Sequence, residues 1–323
     1  MAADNPPASR KRRIVRPKVF ITAFAVLLLT NIVTAGFLIR GSGDDSAKKA
    51  AEKYPFIDIA RNYIPQEHFI VNIQPLREKL NQIVEKDGAD TISVYFEFLN
   101  TGANIQINNT ARFYPASLVK LPSALVAMKK VEKGEWHMDS RLVLFEQDKD
   151  QRYGSLYQKP VGTSFSIQEL VQALLTQSDN TAHRMLMRNL SETELGELKD
   201  ALGLDDLFDE KSEVSAKEYS RLFRALYNSS FLKRSGSQYI LDQLNQTPFN
   251  RMLPAGLPQG TAFSHKIGED NVEKNYLDSG IVYLLDRPYL LTVMIKKHDQ
   301  AKAQAIMKQI SQEAHTYVEG YEK

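Results

Sequence analysis

The sequence contains no cysteine. That excludes disulfides, thiolate catalysis and cysteine metal sites. It fits either a reducing or an oxidising compartment, because a chain of 323 residues can bury enough core to need no cross-link. Histidine is equally sparse as a ligand source. His68, His137, His183, His265, His298 and His315 show no His-x-x-x-His or other metal spacing. There is no P-loop, no dinucleotide fingerprint and no Gly-x-Ser-x-Gly elbow. No metal or cofactor is therefore expected. Internal repeats and low-complexity segments are also absent.

Hydrophobic residues make up 43% of the chain and charged residues 25%, as in an ordinary globular protein. The net charge of +2 is unevenly placed. Residues 1–18 carry six basic side chains (Arg10, Lys11, Arg12, Arg13, Arg16, Lys18) and one acidic, Asp4. Removing these from the totals of 41 and 39 leaves 35 basic and 38 acidic, a net charge of −3. The basic character is a tail effect, and no nucleic-acid partner is expected.

Residues 19–39, VFITAFAVLLLTNIVTAGFLI, hold no charge and are long enough to cross a bilayer as a helix. With the basic block just before them, the positive-inside tendency puts the N-terminus in the cytoplasm and everything after Arg40 outside. The competing reading is a cleaved signal peptide with Val33-Thr34-Ala35 as a poor cleavage site; the length of the run favours an uncleaved anchor. The expected organisation is a basic tail (1–18), a membrane anchor (19–39), a juxtamembrane stalk (40–73) and one folded domain (74–323).

In the domain, Leu76, Leu80, Ile83 and Val84 form a helical stripe. TISVYFEFL (91–99) and ANIQIN read as the strands of a hairpin around Asn-Thr-Gly. A helix apolar nearly all round follows Ser117 and ends at Gly134, so it is buried. A polar, weakly patterned stretch runs to about 165. Helices are expected at 166–177, 191–203 and 215–227, strands at AFSHKI, SGIVYLLD and YLLTVMIKK, and a final helix around 305–318.

Three Ser-x-x-Lys pairs occur: Ser46 with Lys49, Ser117 with Lys120, and Ser230 with Lys233. The first lies in the stalk and the third in a polar loop. Only Ser117 and Lys120 start a buried helix, where positions i and i+3 share a face. A serine hydroxyl needs a base, and a buried lysine loses its proton more easily. A lysine that merely salt-bridges or snorkels is the plainer alternative. Two downstream motifs bear on the choice: Ser178-Asp179-Asn180 at a turn after an apolar helix, and Lys266-Ile267-Gly268 on a strand. Ser-x-x-Lys, Ser-Asp-Asn and Lys-Thr-Gly in this order are the signature of class A β-lactamases and penicillin-binding proteins.

On these residues the chain resembles the class A β-lactamase-like family of penicillin-recognising serine hydrolases. The likeness continues through SFSIQELVQALLTQSDNTAHRMLM, RMLPAGLPQGTAFSHKIG and SGIVYLLDRPYLLTVMIKK and spans about 74–320. It implies an α/β (α+β) fold, an antiparallel sheet with helices on both faces plus an all-helical subdomain. It implies that Ser117 is the nucleophile, that Lys120 takes its proton, and that Ser178 and Lys266 relay a proton to the leaving nitrogen. Asn180 would bind the substrate amide. The backbone N–H groups of Ser117 and of Glu269, next to Gly268, would form the oxyanion hole. Tyr153 is a candidate wall of the cleft, with a plain surface tyrosine as the alternative. The partner implied is a small β-lactam or a cell-wall peptide; oligomeric state is open.

Two departures stand out. The family's deacylating glutamate opens a Glu-x-x-Leu-Asn stretch that is missing between Gly203 and Ser215. Glu210 and Glu213 are the nearest candidates, and solvated loop acids are the simpler reading. Ile267 replaces a threonine that would contact the substrate carboxylate, and Glu269 and Asp270 add negative charge there. Three readings follow: β-lactam hydrolysis with slow deacylation, a D,D-peptidase acting on stem peptides, or a catalytically weak binding or regulatory domain. His183 and His265 adjoin the motifs and read as structural.

Overall fold

The computed structural model describes residues 53, 55–57, 72–208 and 212–321. The expected anchor at 19–39 lies outside them; among the described residues no helix is long and apolar enough to cross a membrane.

Helix α1 (Gln74–Gly88) buries the predicted stripe and leads to β1 (Ile92–Phe98) and β2 (Ala103–Ile107), the expected hairpin. A 3-10 turn at Ala116–Val119 runs into α2 (Lys120–Lys133), in which every residue from Lys120 to Met128 is buried. Gly134 closes α2 at φ 78°, as its position in the sequence implies. The polar stretch that follows contains a small ribbon of β3 (Arg141–Val143) and β4 (Ser164–Ser166). Next come α3 (Ile167–Thr176), α4 (Asn180–Met187), α5 (Glu192–Leu202), α6 (Ala216–Tyr227) and α7 (Arg234–Asn245). Ser166, Ser191 and Ser215 each cap their helix through a Ser-x-x-Glu box. The chain finishes with β5 (Ala262–Asp270), β6 (Asn275–Tyr283), β7 (Tyr289–Lys296) and α8 (Gln300–Glu319).

The five long strands form one antiparallel sheet in the order β2-β1-β7-β6-β5. Its residues alternate between two cores. Val94, Phe96, Leu291, Val293 and Ile295 face α1 and α8; Tyr95, Leu277, Ile281, Leu290 and Met294 face the helices between Lys120 and Asn245. Both faces are covered, so β1 and β6 read as nearly continuous apolar runs rather than as clean alternation. The helical region has its own core from α2, α3, α4 and α6, including Leu121, Leu170, Leu186 and Phe223. This matches the expected layout.

Two helices were not expected. Helix α4 is only eight residues long and starts directly after the Ser-Asp-Asn turn. Helix α7 buries Ser237, Gln238 and Gln243, which weakens its apolar stripe. Lys233 is the N-cap of α7, so the third Ser-x-x-Lys pair, expected in a polar loop, leads into a helix start. Residues 55–57, inside the range expected as a stalk, touch the domain: Phe56 N donates to Gln238 Oε1, and the Phe56 and Tyr283 rings lie 4.6 Å apart.

Candidate active site

The cleft forms where the edge strand β5 meets the turn before α2 and the turn before α4. Ser117 lies in the 3-10 turn, where residues three apart eclipse one another. Lys120 is therefore stacked over it, with Nζ 2.8 Å from Ser117 Oγ. The same Nζ lies 2.7 Å from Ser178 O, 3.0 Å from Ser178 Oγ and 2.6 Å from Asn180 Oδ1. An ammonium has three hydrogens for these four oxygens. In the neutral form its lone pair can accept the Ser117 hydrogen, leaving two hydrogens to share among the other three oxygens. Burial lowers the Lys120 pKa to about 8, with Asp179 and Asp150 opposing the shift and Arg152 adding to it.

Lys266 reaches the same serine from the strand. Its Nζ is 3.0 Å from Ser178 Oγ and 3.0 Å from the Ile267 carbonyl. Burial, and then the charge on Lys120, hold its pKa well below that of a free lysine. Two lysines donating to the Ser178 oxygen leave its own hydrogen free for the cleft. Ser117, Lys120, Ser178 and Lys266 thus form one chain of hydrogen bonds along which a proton could pass.

The backbone around them is held in unusual conformations. Ala116 has φ 47° and Ser178 φ 54°, both in the left-handed region that non-glycine residues rarely occupy. Each flanks or carries a site hydroxyl, where surrounding structure can sustain such strain. Asp179 fixes the second turn: its Oδ1 accepts from Ala182 N, and its Oδ2 from Ser155 N and Leu156 N. Gly154 makes this possible, since a Cβ there would stand 2.0 Å from Asp179 Oδ2. Gly268 has the corresponding role on β5. Its Cβ would lie 2.7 Å from the Pro115 carbonyl oxygen and 3.1 Å from Leu118 Cγ, so only glycine lets the strand close on the Ser117 turn.

Asn180 is oriented at both ends. Its Oδ1 takes Lys120, and its Nδ2 donates to Asp150 Oδ1 at 3.1 Å. Asp150 also pairs with Arg152 and Arg184, and the Arg152 hydrogen bonds hold its carboxyl well below the usual range. Tyr153 walls the cleft: its phenol donates to Glu269 Oε2 at 3.1 Å, and its carbonyl accepts from Asn180 N. The Ser117 side of the cleft encloses about 460 Å³ and is lined by Tyr114, Arg152, Glu269, Asp270 and Glu273 among others. On the other side of the Tyr153–Glu269 pair lies a space of about 280 Å³ bordered by Phe249, Arg251 and Ile267.

All eight expected side chains or backbone positions thus converge. Of the loop acids, Glu213 is exposed, with its carbonyl bound by Arg112, and it does not line the cleft; Glu210 lies outside the described residues. His265 is structural, as expected, pairing with Asp278 at 2.8 Å away from the cleft. His183, expected to adjoin a motif and be structural, lines the cleft together with Ser117. Asp150 and Asp179 went unassigned in the sequence, though the Ser-Asp-Asn turn already pointed to the latter as a cap. Among the described residues no group of acidic, histidine or cysteine side chains could hold a metal.

Residues 75–318 match the model of a beta-lactamase enzyme family. Beta-lactamase 3 of Bacillus cereus is 21% identical over 239 residues, covering 68% of this chain and 74% of the relative. Beta-lactamase VEB-1 of Pseudomonas aeruginosa is 19% identical over 211 residues, covering 57% and 70%. Among solved structures, PBP-A superposes with a TM-score of 0.72 at 23% identity, covering 77% of this chain and 97% of that one. A substituted form of PBP-A was solved as an acyl-enzyme complex with penicillin G.

Proposed function

Because the chain belongs to the beta-lactamase enzyme family, we propose that Ser117 is its acylated nucleophile and that β-lactams or related amides are the acyl donors. The observation that carries this reading is the single buried Nζ of Lys120 touching Ser117, Ser178 and Asn180 at once. Lys120 takes the Ser117 hydrogen as Oγ attacks the carbonyl carbon. Ser178, held between Lys120 and Lys266, hands its hydrogen to the leaving nitrogen and takes in its place the proton that Lys120 received from Ser117. The developing oxyanion is met by the backbone N–H groups of Ser117 and Glu269. β5 is an edge strand, so alternate N–H groups along it lack a strand partner, and Gly268 lets it lie against the nucleophile turn.

Action on peptidoglycan stem peptides as a D,D-peptidase is a second reading, favoured by Glu213 being exposed and not among the residues that line the cleft. An acyl-enzyme without a deacylating glutamate is long-lived toward water and suits transfer or slow release. Fluorescent penicillin tests both. The full chain acquires a covalent label; its lifetime separates a hydrolase from a penicillin-binding enzyme, and release of D-alanine from a stem pentapeptide identifies the peptidase. Absence of any label at millimolar ligand refutes acylation by this class.

The same reading places residues 19–39 in the membrane, with residues 1–18 cytoplasmic and the hydrolase domain outside. The charge-free run behind six basic residues supports it. Protease added outside intact cells digests the domain after Arg40 if this topology holds, and leaves it intact if it does not.

A further inference from the structure

The acylation reading leaves one role unfilled, the group that activates the acceptor when the acyl chain leaves Ser117. Most carboxylates around the cleft are engaged elsewhere: Asp270 accepts from Val272 N and Glu273 N, while Glu273 sits exposed in the turn after β5. Asp150 is tied to Arg152, Arg184 and Asn180, and Asp179 accepts three backbone N–H groups. Glu269 is bound by the Tyr153 phenol on the β5 side.

His183 stands apart from these. It lies one turn after Asn180 on α4, as Ser123 lies one turn after Lys120 on α2. The two helices therefore meet in successive rungs. Lys120 Nζ contacts Asn180 Oδ1 at 2.6 Å, and Ser123 Oγ contacts His183 Nε2 at 3.0 Å. The imidazole lines the same cleft as Ser117 and Lys120.

The proton count at Ser123 sets the tautomer. Its hydroxyl has one hydrogen, and Val119 O, four residues back on the helix, stands 2.8 Å away to accept it. Met187 Sδ, at 3.3 Å, is the weaker acceptor for the same hydrogen. With that hydrogen committed, Ser123 Oγ accepts from Nε2–H, and the lone pair resides on Nδ1. Among the described residues Nδ1 has no hydrogen-bond partner. Burial, then Lys120 and Lys266, lower the imidazole pKa to about 3, so the ring is neutral at any physiological pH and a weaker base than a free imidazole, which fits slow release.

We propose that His183 is the general base for release of the acyl group from Ser117, acting through Nδ1, with Ser123 as the residue that positions its tautomer. Water gives a proton to Nδ1 as its oxygen bonds to the acyl carbon. The tetrahedral intermediate breaks its bond to Ser117 Oγ, which takes a proton from Lys120 Nζ, an ammonium again at neutral pH once solvent has returned its proton after acylation. The products are the free carboxylic acid and the Ser117 hydroxyl. The imidazolium and the neutral lysine then re-equilibrate through solvent.

This role rests on acylation at Ser117, and the test reads the two steps separately. The full chain is acylated with penicillin G, excess ligand is removed, and the adduct is followed by intact mass. His183→Gln keeps a donor for Ser123 but no base. It still forms the adduct, and its lifetime lengthens by on the order of 10²-fold. Ser123→Ala lengthens it less, by frustrating the tautomer. His183→Ala responds to added imidazole with faster release, which a purely structural histidine would not. Wild-type lifetime in His183→Gln, no imidazole rescue in a His183→Ala protein with a normal melting curve, or a wild-type adduct that never decays would each overturn the role. No adduct in the wild type would instead refute Ser117 acylation, and the role with it.

Discussion

The Tyr153 phenol donates to Glu269 Oε2 at 3.1 Å, joining opposite walls of the cleft between the Ser117 side and the Arg251 side. A ligand that spans both sides has to displace or pass this pair. A carboxylate-bearing ligand also meets the Glu269 charge. Glu269→Gln keeps the hydrogen bond and removes that charge. A unit charge near a protein surface is worth roughly 1 kcal/mol or more at these distances, so acylation by penicillin G should speed up about 5–10-fold. The gain should shrink at high salt. Stopped-flow rates for the two proteins check it; an unchanged or slower variant removes charge as the barrier.

The Lys120 pKa, lowered to about 8 chiefly by burial, gives acylation a pH dependence. The amine takes a proton only when neutral, so the rate should climb as pH rises and level off above about 8. Below that it should fall tenfold per pH unit. Second-order acylation rates between pH 6 and 9 test this, and a flat profile would assign the base to another group.

The same lysine weighs on stability. Its folded pKa lies below that of the unfolded chain, so protonation favours unfolding. The penalty is complete below about pH 8 and fades as pH rises toward that of a free lysine. It amounts to about 3 kcal/mol. Lys120→Met should therefore raise the melting temperature at pH 7 while cutting acylation by about 10² to 10⁴. A variant less stable than the wild type at pH 7 would mean that the hydrogen bonds of Lys120 outweigh its desolvation.

Gly268→Ala tests the closure of β5 on the nucleophile turn. The added Cβ would meet the Pro115 carbonyl oxygen at 2.7 Å, so strand or turn has to shift. A donor displaced from the oxyanion typically costs about 10² to 10³ in rate. Acylation should fall by that order, with a lowered melting temperature from the forced shift but a folded protein. Near wild-type acylation would place the oxyanion donors elsewhere.

What the sequence disclosed divides along physical lines. Ser117 with Lys120 was legible because helical spacing puts i and i+3 together within one turn. Ser178, Asn180 and Lys266 came from short motifs whose neighbours along the chain are their neighbours in space. The Tyr153–Glu269 pair joins residues 116 positions apart, so no local pattern encodes it. The polar segment before Phe165 looked structureless because its order comes from buried acids: Asp148 bound by Arg188, and Asp150 by Arg152 and Arg184. Helix α7 hid for a similar reason, since Ser237, Gln238 and Gln243 interrupt its stripe. His183 could have been found three residues after Asn180, on the same helix face as a motif residue, but only the placement of Ser123 gives it a tautomer.

The central claim is that Ser117 carries the acyl group. Peptide mapping after incubation with penicillin G tests it most directly. The account predicts the mass of one ring-opened penicillin on the peptide containing Ser117, and no adduct in Ser117→Ala. An unmodified Ser117 peptide, or an adduct that persists in Ser117→Ala, would contradict it.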